Sequence, residues 1–113
     1  MALPLNVFKT VTKIVTTTPV GIYTAPTGYS SVVLLAQAAN ISANTHTISF
    51  SHQRSVAGIA VTTEIVKNLP VPGSDSTNLL FGKLILESGD VMVLSASDPS
   101  NIKFIGSILE TLN

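Results

Sequence analysis

Residues 45–52 read THTISFSH. In an extended chain His46, Ile48, Phe50 and His52 fall on one side, and Thr45, Thr47, Ser49 and Ser51 on the other. That alternation is what a strand with one face in a core requires. On both sides of this stretch, turn-forming clusters recur at short intervals. TTPVG (17–21), APTG (25–28) and NISAN (40–44) precede or border it; VAG (56–58), PVPGSDS (70–76), ESGD (87–90) and DPSN (98–101) follow. Gly, Pro, Asn, Asp and Ser favour turns for separate backbone reasons. The segments between are rich in Val, Ile, Thr and Phe, which suit a pleated surface. Further strands are expected near 6–17, 20–24, 30–39, 59–66, 79–86, 91–96 and 102–111.

About eight short strands with evenly spaced turns predict an all-β fold: a single antiparallel β-sandwich, jelly-roll or immunoglobulin-like, over residues 1–113. Residues 1–18 form an extended arm or an edge strand, with Lys9 and Lys13 discouraging unwanted pairing. IKFIGSILETL, 102–112, has Ile102, Ile105, Leu109 and Leu112 at helical spacing, but Gly106 and the β-branched residues favour a strand. PVPGSDSTN, 70–78, reads as an exposed, mobile loop.

Composition narrows the function classes. Charged residues are 11% of the chain, hydrophobic residues 45%, and the formal net charge is zero. Nothing steers such a chain toward nucleic acid or anionic lipid. There is no cysteine, so neither a disulfide framework nor a thiolate metal site is expected. MALPL at 1–5 lacks the basic start and apolar run of a signal peptide, and the apolar run Val32–Ala36 is too short for a membrane helix. No membrane or nucleic-acid partner is expected.

The chain carries no GxSxG elbow, glycine-rich phosphate loop, HExxH or calcium-binding loop. His46 and His52 share a strand face six residues apart, about 20 Å, too far to share a metal. They read as strand-end histidines, each with its own partner. Asp75, Asp90 and Asp98 all fall in turns, where Asp bonds local backbone. Tyr23 and Tyr29 flank the APTG turn and are expected to pack beside it. No catalytic residue, cofactor or metal site follows, and the expectation is a protein that is not an enzyme.

SSVVLLAQAAN at 30–40, VMVL at 91–94 and LLFGKLIL at 79–86 pose a different question. Each is apolar on both faces of a strand, whereas one sandwich buries only one face of each sheet. The second face then needs a neighbouring subunit, and a homo-oligomer is expected. Val33, Leu35, Val91 and Val93 are the candidates for the outward interface face, with Val32, Leu34, Met92 and Leu94 inward. A one-residue change of register would exchange the two sets.

The order Tyr23-x-x-Pro26-x-Gly28, an apolar strand ending at Asn40, THTISFSH, LESGDVMVLSAS at 86–97 and IGSILE at 105–110 resembles small β-sandwich virion structural proteins of tailed bacteriophages, including cyanophages. In such chains a Leu-x-x-Gly-Asp turn, here Leu86, Gly89 and Asp90, opens the penultimate strand. The likeness runs from about Tyr23 onward and leaves residues 1–18 out. It implies a virion component without chemistry of its own, assembled in the host cytoplasm. Such a component is an accessory or decoration subunit of the capsid exterior, neck or tail, with other virion proteins as partners. The alternative is a host-surface binding module of the tail or baseplate, reading glycan or protein through the APTG, NISAN and PVPGSDS loops.

Overall fold

The structure, a computed structural model, describes residues 6–113. MALPL at 1–5, with the expectation about a leader, lies outside the described residues. The described chain is built from strands: β1 (Asn6–Ile14), β2 (Val20–Thr24), β3 (Tyr29–Asn40), β4 (His46–Val56), β5 (Ile59–Val71), β6 (Ser76–Asn78), β7 (Leu84–Leu86), β8 (Val91–Ala96) and β9 (Ile102–Leu112). They pair antiparallel into two sheets. One runs β1-β9-β3, with β6 and β7 both on the far edge of β3; the other runs β2-β8-β4-β5. This interleaved order is that of a jelly roll. IKFIGSILETL is a strand throughout, at the centre of its sheet.

The core lies between the inner faces. Phe50 of β4 stacks on Phe104 of β9 at 6.1 Å between ring centroids, and Ile48, Met92, Leu94, Ile102 and Ile108 pack around them. The loops divide between two ends. Loops 15–19, 41–45, 72–75 and 97–101 lie at one, and the turns 25–28, 57–58 and 87–90 at the other.

Two expectations need correction. Leu79–Leu86 is not one strand; only Leu84–Leu86 pairs. The cause lies across the ladder, where β3 bulges between Val33 and Leu35. β6 therefore pairs with Gln37–Ala39 and β7 separately with Ser31–Val33. Leu79 still enters the core and donates its amide to Ala36 at 2.8 Å, while Phe81 stands fully in solvent.

The second concerns 70–78, which is largely exposed as expected but is tied to its neighbours rather than a free loop. Val71 is buried and 76–78 is β6. The amide of Asn40 donates to the Asp75 carbonyl at 2.8 Å, and that of Ser74 to the Ser42 carbonyl at 2.9 Å. Buried Asn40 organises the adjoining loop with all its side-chain valences used. Its Nδ2 donates to the Asn44 and Val71 carbonyls, and its Oδ1 accepts from the Ser42 amide and hydroxyl. Gly73 makes this junction possible, because a Cβ there would lie 2.4 Å from the Ala43 carbonyl oxygen. Gly73→Ala is expected to cost about 1–3 kcal/mol by forcing the two loops apart. Hydrogen exchange at Asn40 and Ser74 checks it, since both amides should lose protection before the sheets do.

Candidate functional site

The four expected interface residues do not share a face. Val33, expected outward, is buried in the core, while Leu35 is 38% exposed. The bulge explains this: inward positions are Ser31 and Val33 before it, and Ala36, Ala38 and Asn40 after it. Equal spacing in sequence thus lands on opposite faces. Of their expected inward partners, Val32 turns outward and Leu34 is 40% exposed at the bulge. In β8, Met92 and Leu94 are buried, and Val91 and Val93 point outward, half-buried. Their surroundings are polar. The outer face of the β2 sheet carries a groove lined by Gly21, Ser49, Ser51, Gln53, Thr62 and Ser95 around Val93.

The apolar outer surface lies on the other sheet. Phe8 pairs with Leu109, Leu109 with Val32, and Val32 with Ile85. These four outward side chains form one row across β1, β9, β3 and β7. Phe8 is 76% and Ile85 59% exposed. Leu34 and Leu35 adjoin the row at the bulge, and fully exposed Phe81 stands in the loop beside them. The band spans four strands at about 4.8 Å spacing, roughly 15 Å across. No member is charged.

Two polar clusters tie the sandwich internally. At the 87–90 turn, the buried Asp90 carboxylate accepts from Arg54 Nε at 2.9 Å and from its terminal nitrogen at 2.6 Å. It also meets His52 Nε2 at 3.0 Å and accepts from the Glu87 amide at 2.9 Å. The Arg54 guanidinium also reaches Glu87 at 2.9 Å. Arg54 holds the Asp90 carboxyl well below the usual carboxylate range, against the opposing effect of burial. In the second cluster, the Tyr23 hydroxyl of β2 donates to buried Glu110 of β9 and pairs with Ser31 of β3 at 2.8 Å. Lys9 of β1 closes on the same carboxylate at 3.4 Å. Burial pushes the Tyr23 phenol up, and the bond to Glu110 adds to it. Tyr23 therefore does more than pack beside its turn; it joins the two sheets.

His46 meets Asp98 at 3.4 Å, so the two histidines have separate carboxylate partners. Asp98 also accepts the Ser100 and Asn101 amides, and these bonds, that from Ser100 first, lower its pKa. Among the described residues no group of three or more His, Asp or Glu side chains could hold a metal. The three loops proposed as a host-reading surface do not converge. NISAN and PVPGSDS meet at one end, whereas APTG lies at the other, bonded to the 87–90 turn through Ala25.

The Asp90 cluster was within reach of the sequence. Arg54, the sole arginine, continues the inward series 46, 48, 50, 52, and an inward guanidinium requires a carboxylate. Which carboxylate it meets depends on the partner turn.

No protein-family model matches the chain, and no curated protein does. Solved structures do. A chain of the acid-stable capsid of Helicobacter pylori bacteriophage KHP30 aligns with a TM-score of 0.57 and 14% identity, over 96% of this chain and 89% of that one. A chain of the Bacillus endospore appendages, a family of disulfide-linked pili, aligns at 0.51 and 15%, over 96% and 88%. A chain of the T13 particle of infectious bursal disease virus aligns at 0.56 and 8%, over 97% of this chain but 32% of its own length. The present chain thus spans about a third of that last protein. At these identities the likeness is one of fold, a β-sandwich shared with these capsid and appendage chains.

Proposed function

We propose that the chain is a non-enzymatic virion structural protein, folded as one β-sandwich domain and held in place by subunit interfaces. In its finer form the proposal is an accessory or decoration subunit on the capsid exterior, neck or tail of a tailed phage. The observation that carries it is the uncharged band Phe8–Leu109–Val32–Ile85 on the outer face of the β1 sheet. Contiguous exposed apolar surface of this kind marks interaction sites. Burying ~400 Å² of it yields about 10 kcal/mol gross, the same order as the cost of association. The band therefore drives assembly when joined by further contacts, as in a lattice. The capsid and appendage chains that share this fold support the reading. The tailed-phage assignment rests on the motif order from Tyr23 to Glu110.

Sizing by light scattering across a range of concentrations tests it. The wild-type chain is expected to self-associate, and Phe8→Asp or Ile85→Lys to disperse it while leaving the melting curve unchanged. Val33→Asp is no surface probe, since Val33 lies in the core. A wild type that stays monomeric at every concentration, or variants that associate unchanged, would defeat the proposal. Imaging of labelled particles then distinguishes head, neck and tail.

A further inference from the structure

The apolar side of the β4–β5 hairpin has no counterpart within the described chain. β8 stops pairing with β4 at Gln53↔Val91, whereas β4 and β5 stay paired to their turn, at Val56↔Ile59. Every residue from Ser55 to Glu64 is exposed. The tip is therefore a two-stranded ribbon standing clear of the sandwich. Its turn is Ala57-Gly58, with φ of 52° and 81°, the two-residue type that continues the strand twist. A ribbon of this kind is marginal in water unless something packs on it.

The ribbon has an apolar side. Ile48, Phe50 and His52 face the core, and Arg54 and Val56 continue that series. Pairing places Ile59 opposite Val56 and Val61 opposite Arg54, so these side chains share it. Val56, Ile59 and Val61 are 55, 68 and 47% exposed. The ribbon thus carries the core-facing side of its sheet past the end of the opposing sheet, leaving Val56, Ile59 and Val61 exposed.

The band on the β1 sheet lies toward the same end of the molecule. Its residues adjoin the start of β1 and β3, the end of β9 and the short β7. It points away from the β2 sheet, and so does the apolar side of the ribbon. A half-turn about an axis across the strands at that end reverses this direction and exchanges the two positions. We infer that two copies of this chain clasp each other, the β4–β5 ribbon of each lying on the apolar band of the other. Band-to-band packing would leave both ribbons bare, whereas the clasp covers both surfaces. Beyond Arg54, whose guanidinium is held by Asp90 and Glu87, neither contains a charge: SVAGIAVTT, 55–63, and the four band residues are all neutral. Two symmetry-related contacts of a few hundred Å² each approach the ~800 Å² per partner of a stable complex, which one contact alone does not.

The inference rests on the band being an interface, and the experiment separates the two. Wild type, Ile59→Asp, Ile85→Lys and an equimolar mixture of the two variants are compared by native mass spectrometry, with melting curves confirming the fold. The wild type is expected as a dimer, and each variant alone as a monomer, its apparent dissociation constant raised at least roughly thirtyfold. The mixture is expected to form a heterodimer, because one native contact survives and the second sets an Asp against a Lys. If Ile59→Asp dimerises like the wild type while Ile85→Lys does not, the clasp is wrong and the band remains an interface. Failure of the mixture to pair also overturns the clasp. A wild type monomeric throughout removes both.

Discussion

Phe50→Ala is expected to lower the unfolding midpoint by about 15 °C, a loss of ~4 kcal/mol. Phe50 is fully buried on β4, and Phe104, on which it stacks, belongs to the opposing sheet. Truncation removes the apolar burial of a whole ring and leaves a cavity between two sheets that collapse only partly. A domain of this size is stable by something like 5–15 kcal/mol, so the loss is a large fraction of the total. Phe50→Leu keeps most of the volume and is expected to cost under ~1.5 kcal/mol. Urea unfolding of the two variants measures the contrast. Equal stability for both would mean that the sheets are not held through this ring pair.

The next largest effect is expected at Asp90. Asp90→Ala removes the acceptor of Arg54, His52 and the Glu87 amide at once. The loss is about 2–3 kcal/mol, moderated because Arg54 is half in water. The pH dependence has a definite sign. The Asp90 pKa is depressed in the fold relative to an ordinary value near 4, so its contribution is fully present above about pH 5. It declines as the pH falls through the ordinary carboxylate range toward the depressed folded value. Asp98 is depressed too and titrates in the same direction in both proteins, so the difference between wild type and Asp90→Asn removes its contribution. That difference should shrink below pH 4, by at most about 1.4 kcal/mol per unit. A difference that grows on acidification would show that the Arg54 clamp is not what stabilises the turn.

The apolar band was partly legible in the sequence. Consecutive apolar residues at 30–40 and 79–86 signal surplus hydrophobic surface, and Ile85 and Leu35 belong to those stretches. Phe8 gave no such signal, because it sits in a lysine-bearing edge strand and matters only once β1 lies beside Leu109. Val33 was misplaced for a local reason: the bulge at Leu34 shifts the parity of β3 in mid-strand. The ribbon was invisible too, because VAG at 56–58 signals a turn without revealing that β8 stops pairing with β4 at Gln53, three residues before Val56.

By itself the sequence determined the all-β class, the strand period and most of the turns. These depend on neighbours along the chain: side-chain alternation, β-branching, and the backbone preferences of Gly, Pro, Asn and Asp. Only the tertiary structure decided which β3 side chains face outward, which carboxylate receives Arg54, and where the apolar surface gathers. Those outcomes depend on pairing between strands far apart in sequence, such as β1 with β9. There one bulge or one early strand end redirects every side chain beyond it, and no residue announces its partner across the sheet.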